Sequence, residues 1–196
     1  MAAKSNALNM VLCLTAVCLV CASVLGCIYS VTAEPIREAA AKALRESVGK
    51  VLPDGGSLSE EMEGSYADGK FSYYMSTSAD GAVQAYAVKS SVIGFGGPLT
   101  LMVGVLPDGT VYNTSVLECS ETPGLGAKCA TDKGFVSQWR NFRGRLEVKK
   151  DGGDVDAITA STITSRAYTL AVKNAVVFAL SLVQENLNYE EENENE

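Results

Sequence analysis

The sequence contains no histidine. This excludes a Ser-His-Asp triad, a Cys-His dyad and histidine-ligated metal or haem. Any proton chemistry falls to Asp, Glu, Lys, Tyr or Cys. Basic residues are scarce: 16 Lys and Arg stand against 23 Asp and Glu, for a formal net charge of −7. That balance argues against nucleic acid as a partner, because phosphate backbones are bound by Lys and Arg. Neither a G-x-G-x-x-G fingerprint nor a Walker A loop is present, and no repeat of about 20 to 50 residues is visible. Charge is missing altogether from residues 5–33.

What fills that gap is Leu, Val, Ala, Cys and Met, over 7–31. About 20 apolar residues cross a bilayer core, so a transmembrane helix is expected, with 1–33 as a cytoplasmic end plus the span. Lys4 and the amino terminus precede it and Glu34 follows, which orients the rest of the chain outward. A cleaved signal peptide is the rival reading, although the run exceeds a usual signal-peptide core. Val24-Leu25-Gly26-Cys27 loosely resembles a lipoprotein cleavage site, with Leu25 bulky for its position. Cys13, Cys18, Cys21 and Cys27 lie in the span and read as small apolar side chains. Cys119 and Cys129 lie beyond it, and in an oxidising compartment they can pair. Residues 188–196 read as an acidic, solvated, disordered tail.

Residues 34–187 are about one domain's worth of chain. A short helix over 34–51, with Pro35 in its first turn, is ended by Pro53-Asp54-Gly55-Gly56. Strands are expected over 71–75, 83–88, 99–105 and 111–117, with Asp80-Gly81 and Pro107-Asp108-Gly109 as turns. The segment 131–141 reads as a helix, 146–149 as a short strand and 151–154 as a turn. A long helix over 163–187 places Ile163, Ala167, Leu170, Ala171, Phe178 and Leu182 at helical spacing toward the core. The class is α+β, with antiparallel strands and flanking helices.

Three segments carry candidate chemistry. D-A-I-T-A-S-T (156–162), followed by Ile163, Thr164 and Ser165, sets five hydroxyls at a helix start, where free N–H groups and the helix dipole favour an anion. On its own it reads more readily as plain N-capping by Ser or Thr. S-E-T-P-G-L-G-A-K (120–128) pairs a Pro-Gly turn with Gly124 and Gly126, which allow close backbone approach, and Lys128, which can meet a phosphate. G-F-G-G-P (94–98) implies a tight bend, with Phe95 expected in the core.

In this order behind an apolar span, these motifs resemble the FMN-binding domain of the G subunit of the Rnf electron transport complex, and that of the related C subunit of the sodium-translocating NADH:quinone reductase. The resemblance covers nearly the whole chain. It implies FMN joined by its phosphate to Thr162, attached by a separate flavin transferase that uses FAD. Asp156 and Thr159 match the family's Asp and hydroxyl positions. Ala160 stands where Gly is usual, and Ser161 where Ala is usual. The resemblance also implies that Glu121, Thr122, Gly124, Leu125, Gly126, Lys128, Ser161 and Thr164 surround the cofactor. The chain is then an electron-carrier subunit in a bacterial inner-membrane complex coupling electron transfer to ion translocation. It would have a single span, an extracytoplasmic domain and the other subunits of an Rnf-type complex as partners, with no catalytic turnover of its own. The alternatives are the quinone-reductase subunit and a membrane-anchored FMN-binding or sensor module.

Overall fold

A central strand with no polar face organises the domain. Residues 98–105, P-L-T-L-M-V-G-V, form a strand buried along almost its whole length. Such a strand needs cover on both sides, and it has it. The computed structural model describes residues 7–67 and 69–194; Lys4 and the last two residues of the acidic tail lie outside the described residues. The elements are α1 (Ala7–Val51), β1 (Ser57–Leu58), β2 (Met62–Tyr66), β3 (Gly69–Thr77), β4 (Val83–Ile93), β5 (Pro98–Val105), β6 (Val111–Cys119), α2 (Lys133–Ser137) and α3 (Thr162–Glu194). Short 3-10 turns occupy Gly126–Ala130 and Lys149–Asp151.

The chain divides into two units, Met1–Ala43 and Leu44–Glu196. In the first, α1 is long and apolar enough to cross a membrane. Its hydroxyls bond back to their own helix: Ser23 donates to the Leu19 carbonyl and Thr32 to that of Ile28. The expected break near residue 34 is absent. Pro35 sits inside a continuous helix; proline removes one helical hydrogen bond, which a long helix tolerates.

The second unit is one antiparallel sheet in the order β1-β3-β4-β5-β6, with β2 pairing the outer side of β3. Side chains alternate across it. Tyr86, Val88, Leu99, Leu101, Val103 and Val105 join the core cluster that contains α3. On the other face Ala85, Ala87 and Met102 pack with Val48, Val51 and Leu52. All four expected strands are present, and the 98–119 hairpin turns at Gly109, whose φ is 82°. The expected 131–141 helix shrinks to α2, one turn capped by the Asp132 side chain. The expected strand at 146–149 is instead a single parallel bridge, Val148 to Val155, followed by a 3-10 turn.

α3 is likewise long and apolar enough to cross a membrane, but half of its apolar stretch is buried inside the domain, so it is a core helix. Tyr168 stacks on Trp139 (5.3 Å) with Phe135 edge-on, and its hydroxyl bonds to Thr114 at 2.7 Å. Phe178 stacks on Phe71 at 4.6 Å and meets Tyr73 edge-on. Ala167, Ala171 and Phe178 face the core as expected; Ile163 and Leu170 are instead half exposed, and Leu182 is partly buried. The helix continues past residue 187 to Glu194, so no helix end marks the expected tail boundary.

Phe178→Ala is expected to cost about 3–5 kcal/mol, and Leu182→Ala about half as much because it starts part-exposed. Urea unfolding of the two variants checks this; equal losses would mean that α3 packs with Leu182 as deep as Phe178.

Candidate functional site

Three loops meet at the start of α3. The first is the bend between β4 and β5, closed by the Gly94 N–H donating to the Gly97 carbonyl at 2.8 Å. The second follows β6, held to the first by the Ser120 N–H donating to the Pro98 carbonyl at 3.1 Å. The third is the turn into α3, where the Ser161 N–H donates to the Ile158 carbonyl at 3.0 Å.

Glu121 ties the first two together. Its side chain is buried, and its carboxylate accepts the Phe95 N–H at 2.7 Å and the Gly96 N–H at 3.3 Å. Charge-assisted bonds of this kind are stronger than neutral ones. The packing around it is tight enough to require glycine. A Cβ on Gly94 would collide with the Glu121 carboxylate, and one on Gly126 would lie 2.6 Å from Thr164 Oγ1.

Between the loops lies a cleft of about 420 Å³. Phe95, Leu125 and Ile163 give it apolar walls, and Thr122, Ser161, Thr162 and Thr164 give it hydroxyls. The three apolar side chains are 67%, 46% and 53% exposed. Large apolar groups left exposed together around a concavity mark a binding site. Phe95 is therefore not the core residue expected. Ser161 Oγ is buried without a hydrogen-bond partner among the described residues. A broad surface hollow of about 330 Å³ at the β2–β3 edge, lined by Glu63, Lys70 and Phe71 among others, lacks this convergence of loops.

Thr162 is the first residue of α3 and is half-buried on the cleft wall. The opening amides of a helix have no intrahelical acceptor, so this end favours an anion. Ser165 pins the turn: its hydroxyl donates to the Ser161 carbonyl and accepts the Ile158 N–H, both at 2.9 Å. The residue before Ser161 has left-handed backbone, Ala160 at φ 62°. Glycine adopts that conformation freely, whereas alanine does so at a cost of about 1–2 kcal/mol.

Of the expected site residues, Glu121, Thr122, Leu125, Gly126, Ser161, Thr162 and Thr164 line the cleft. The lining does not include Gly124, Lys128, Thr159 or Asp156. Gly124 is exposed at φ 77°, and Lys128 is exposed on the 3-10 turn. Asp156 pairs with Lys149 at 2.7 Å and donates its N–H to Gln138 Oε1. Its carboxylate is thus part of a surface brace. A cation does lie near the Thr162 hydroxyl: Lys150, whose Nζ is 3.4 Å from Thr162 Oγ1. Arg166 fixes the turn that carries Lys150 by gripping both oxygens of Asp151 at 2.7 Å. That hydrogen-bonded guanidinium holds the Asp151 carboxyl below its usual range. No local motif distinguishes Lys150 from other surface lysines.

Residues 94–177, which span the three loops and half of α3, match the FMN-binding domain family. The chain is 29% identical over 167 residues to the G subunit of the proton-translocating ferredoxin:NAD(+) oxidoreductase complex of Clostridium ljungdahlii, covering 83% of this chain and 86% of that one. It is 32% identical over 177 residues to the G subunit of the ion-translocating oxidoreductase complex of Shewanella baltica, covering 81% and 82%. Among solved structures, NqrC of Shewanella oneidensis is similar over 59% of this chain and 62% of that one, at 20% identity and a TM-score of 0.47. By its sequence relatives the chain belongs to the G-subunit family of ion-translocating oxidoreductase complexes, with an FMN-binding domain at residues 94–177.

Proposed function

We propose that this chain is the flavin-carrying subunit of a membrane-bound complex that couples electron transfer to ion translocation, with FMN held covalently through a phosphoester to Thr162. The observation that carries the reading is the cleft. It joins apolar walls to a hydroxyl-rich helix start, which suits a molecule that is a flat ring at one end and a phosphate at the other. The fit is supported by the unpartnered Ser161 hydroxyl and by the glycine cradle at Gly126. Bound FMN supplies reversible electron acceptance, which needs no ionisable side chain from the protein.

The protein's own contributions are positional. Thr162 Oγ1 is the acceptor that a flavin transferase modifies. The first amides of α3 and the Lys150 ammonium face the negative charge of a phosphodiester there. Phe95, Leu125 and Ile163 exclude water from a ring, and Glu121 keeps the Phe95 loop in place. A tether also keeps the carrier at high local concentration near its redox partners, the other subunits of an Rnf-type complex. In this reading the apolar part of α1 up to residue 33 spans the bacterial inner membrane, residues 34–187 form the flavin domain on the extracytoplasmic side, and residues 188–196 are an acidic appendage. The back-bonded hydroxyls of Ser23 and Thr32 suit a lipid environment, where polar groups need internal partners.

Thr162→Ala, made together with a flavin transferase, is expected to lose covalent FMN while the domain stays folded, since a first-turn hydroxyl contributes only about 0.5–2 kcal/mol. Ser161→Ala keeps the flavin, because Ser161 Oγ makes no bond that the protein needs. Peptide mass spectrometry decides: FMN on Ser161 or Thr164 moves the acceptor, and FMN on no peptide leaves the anchored binding-module reading in its place.

Ala160→Gly is expected to raise stability by about 0.5–1 kcal/mol. Relief of left-handed strain outweighs the extra freedom glycine gives the unfolded chain. Chemical denaturation measures it, and a loss of stability would mean the turn is not strained.

A reporter fused after Glu196 is expected to be active only on the outer side of the membrane. Strong cytoplasmic activity would reverse the topology.

A further inference from the structure

We propose that Cys119 and Cys129 form a reversible disulfide that clasps the cleft loop 120–128. The inference goes beyond the flavin reading and does not depend on it. The two sulfurs lie 3.7 Å apart as free thiols. A disulfide bond is about 2.0 Å long, so the approach still required is about 1.7 Å, within reach of small side-chain rotations.

Each cysteine sits on a fixed end of the loop. Cys119 is the last residue of β6, registered opposite Leu99 of β5. Cys129 is fully buried in the 3-10 turn, within the cluster that holds Phe135, Trp139 and Tyr168. Between them run Glu121, Thr122, Leu125 and Gly126, four residues of the cleft lining. A bond across the base would close the segment that carries one wall of the site into a small ring. Metal binding is a poorer use of the pair: among the described residues no group of three or more His, Cys, Asp or Glu is placed to hold an ion.

The two thiols differ in access, which sets the order of events. Cys119 is part-exposed and meets an oxidant first. Burial, with Cys119 and then Glu121 nearby, pushes the Cys129 thiol up to about 12, so at rest it is protonated and does not react first. The oxidant is a disulfide, R–S–S–R. The Cys119 thiolate attacks one of its sulfurs, forming a mixed disulfide and releasing one thiolate. Cys129 then gives up its proton to that thiolate, and its sulfur attacks Cys119 Sγ, expelling the second thiolate. Two protein thiols become one disulfide, and R–S–S–R is reduced to two thiols.

The test uses full-length protein in detergent, treated with oxidised glutathione, alkylated and digested without reductant. A Cys119–Cys129 linked peptide is expected. Backbone hydrogen exchange over 120–128 should slow several-fold relative to dithiothreitol-treated protein, and the melting temperature should rise by about 5–10 °C. Cys119→Ser should lose all three effects, and Cys129→Ala should stop at a glutathione adduct on Cys119. Alkylation of both cysteines after oxidation, or a lasting glutathione adduct on Cys119 of the unmutated protein with Cys129 free, overturns the bond. A linked peptide with unchanged exchange overturns the clasp.

Discussion

The position of the cleft depends on how α3 is seated. Its first turn is the floor of the site, and that turn stays in place because the next four turns cannot slide. Ala167, Ala171 and Ala175 are small enough to bring the helix close to the sheet. Tyr168 and Phe178 then lock it, one into the Trp139–Phe135 cluster and the other between Phe71 and Tyr73. Aromatic contacts of this kind add about 0.5–1.5 kcal/mol beyond area burial. The Tyr168 hydroxyl bond to Thr114 fixes the helix along its axis as well. A side chain on the first residue of such a helix inherits the rigidity of the whole core.

The loops above that floor are organised by a different force. Among the described residues Glu121 has no cation as a hydrogen-bond partner; two backbone amides of the neighbouring loop take its charge. The glycines at 94, 96 and 126 are needed because their neighbours leave no room for a Cβ. The resulting wall has little freedom of its own, whereas its exposed residues, Phe95 and Leu125, point no bulk into the protein and remain available to a ligand.

Much of this is legible in the chain. The strands and their turns follow from alternation and from Asp-Gly and Pro-Asp-Gly signals, which act over a few residues. The cleft is legible only through motif resemblance, because nothing local says that residues 95, 121 and 162 meet. What is not legible has a long-range cause in each case. Ile163 fits the apolar spacing of a core residue, but at a helix end the sheet no longer covers it. Phe95 has core chemistry on a loop that Glu121 holds outward. Lys150 is placed by Arg166, sixteen residues downstream, through Asp151. Pro35 suggests a boundary that a long helix simply absorbs.

The buried phenol of Tyr168 has a consequence for how the domain responds to pH. Burial raises its ionisation well above the ordinary tyrosine value of about 10, and Tyr86 moves the same way. A group with a raised folded-state pKa favours the native state fully below its unfolded pKa, and that advantage is lost as pH climbs toward the folded value. With no histidine to titrate near neutrality, the shifts set by burial in Tyr168, Tyr86 and Cys129 all lie on the alkaline side. These groups make the fold give way to base, whereas the lowered carboxyls of Asp108 and Asp151 contribute stability that is lost as pH falls.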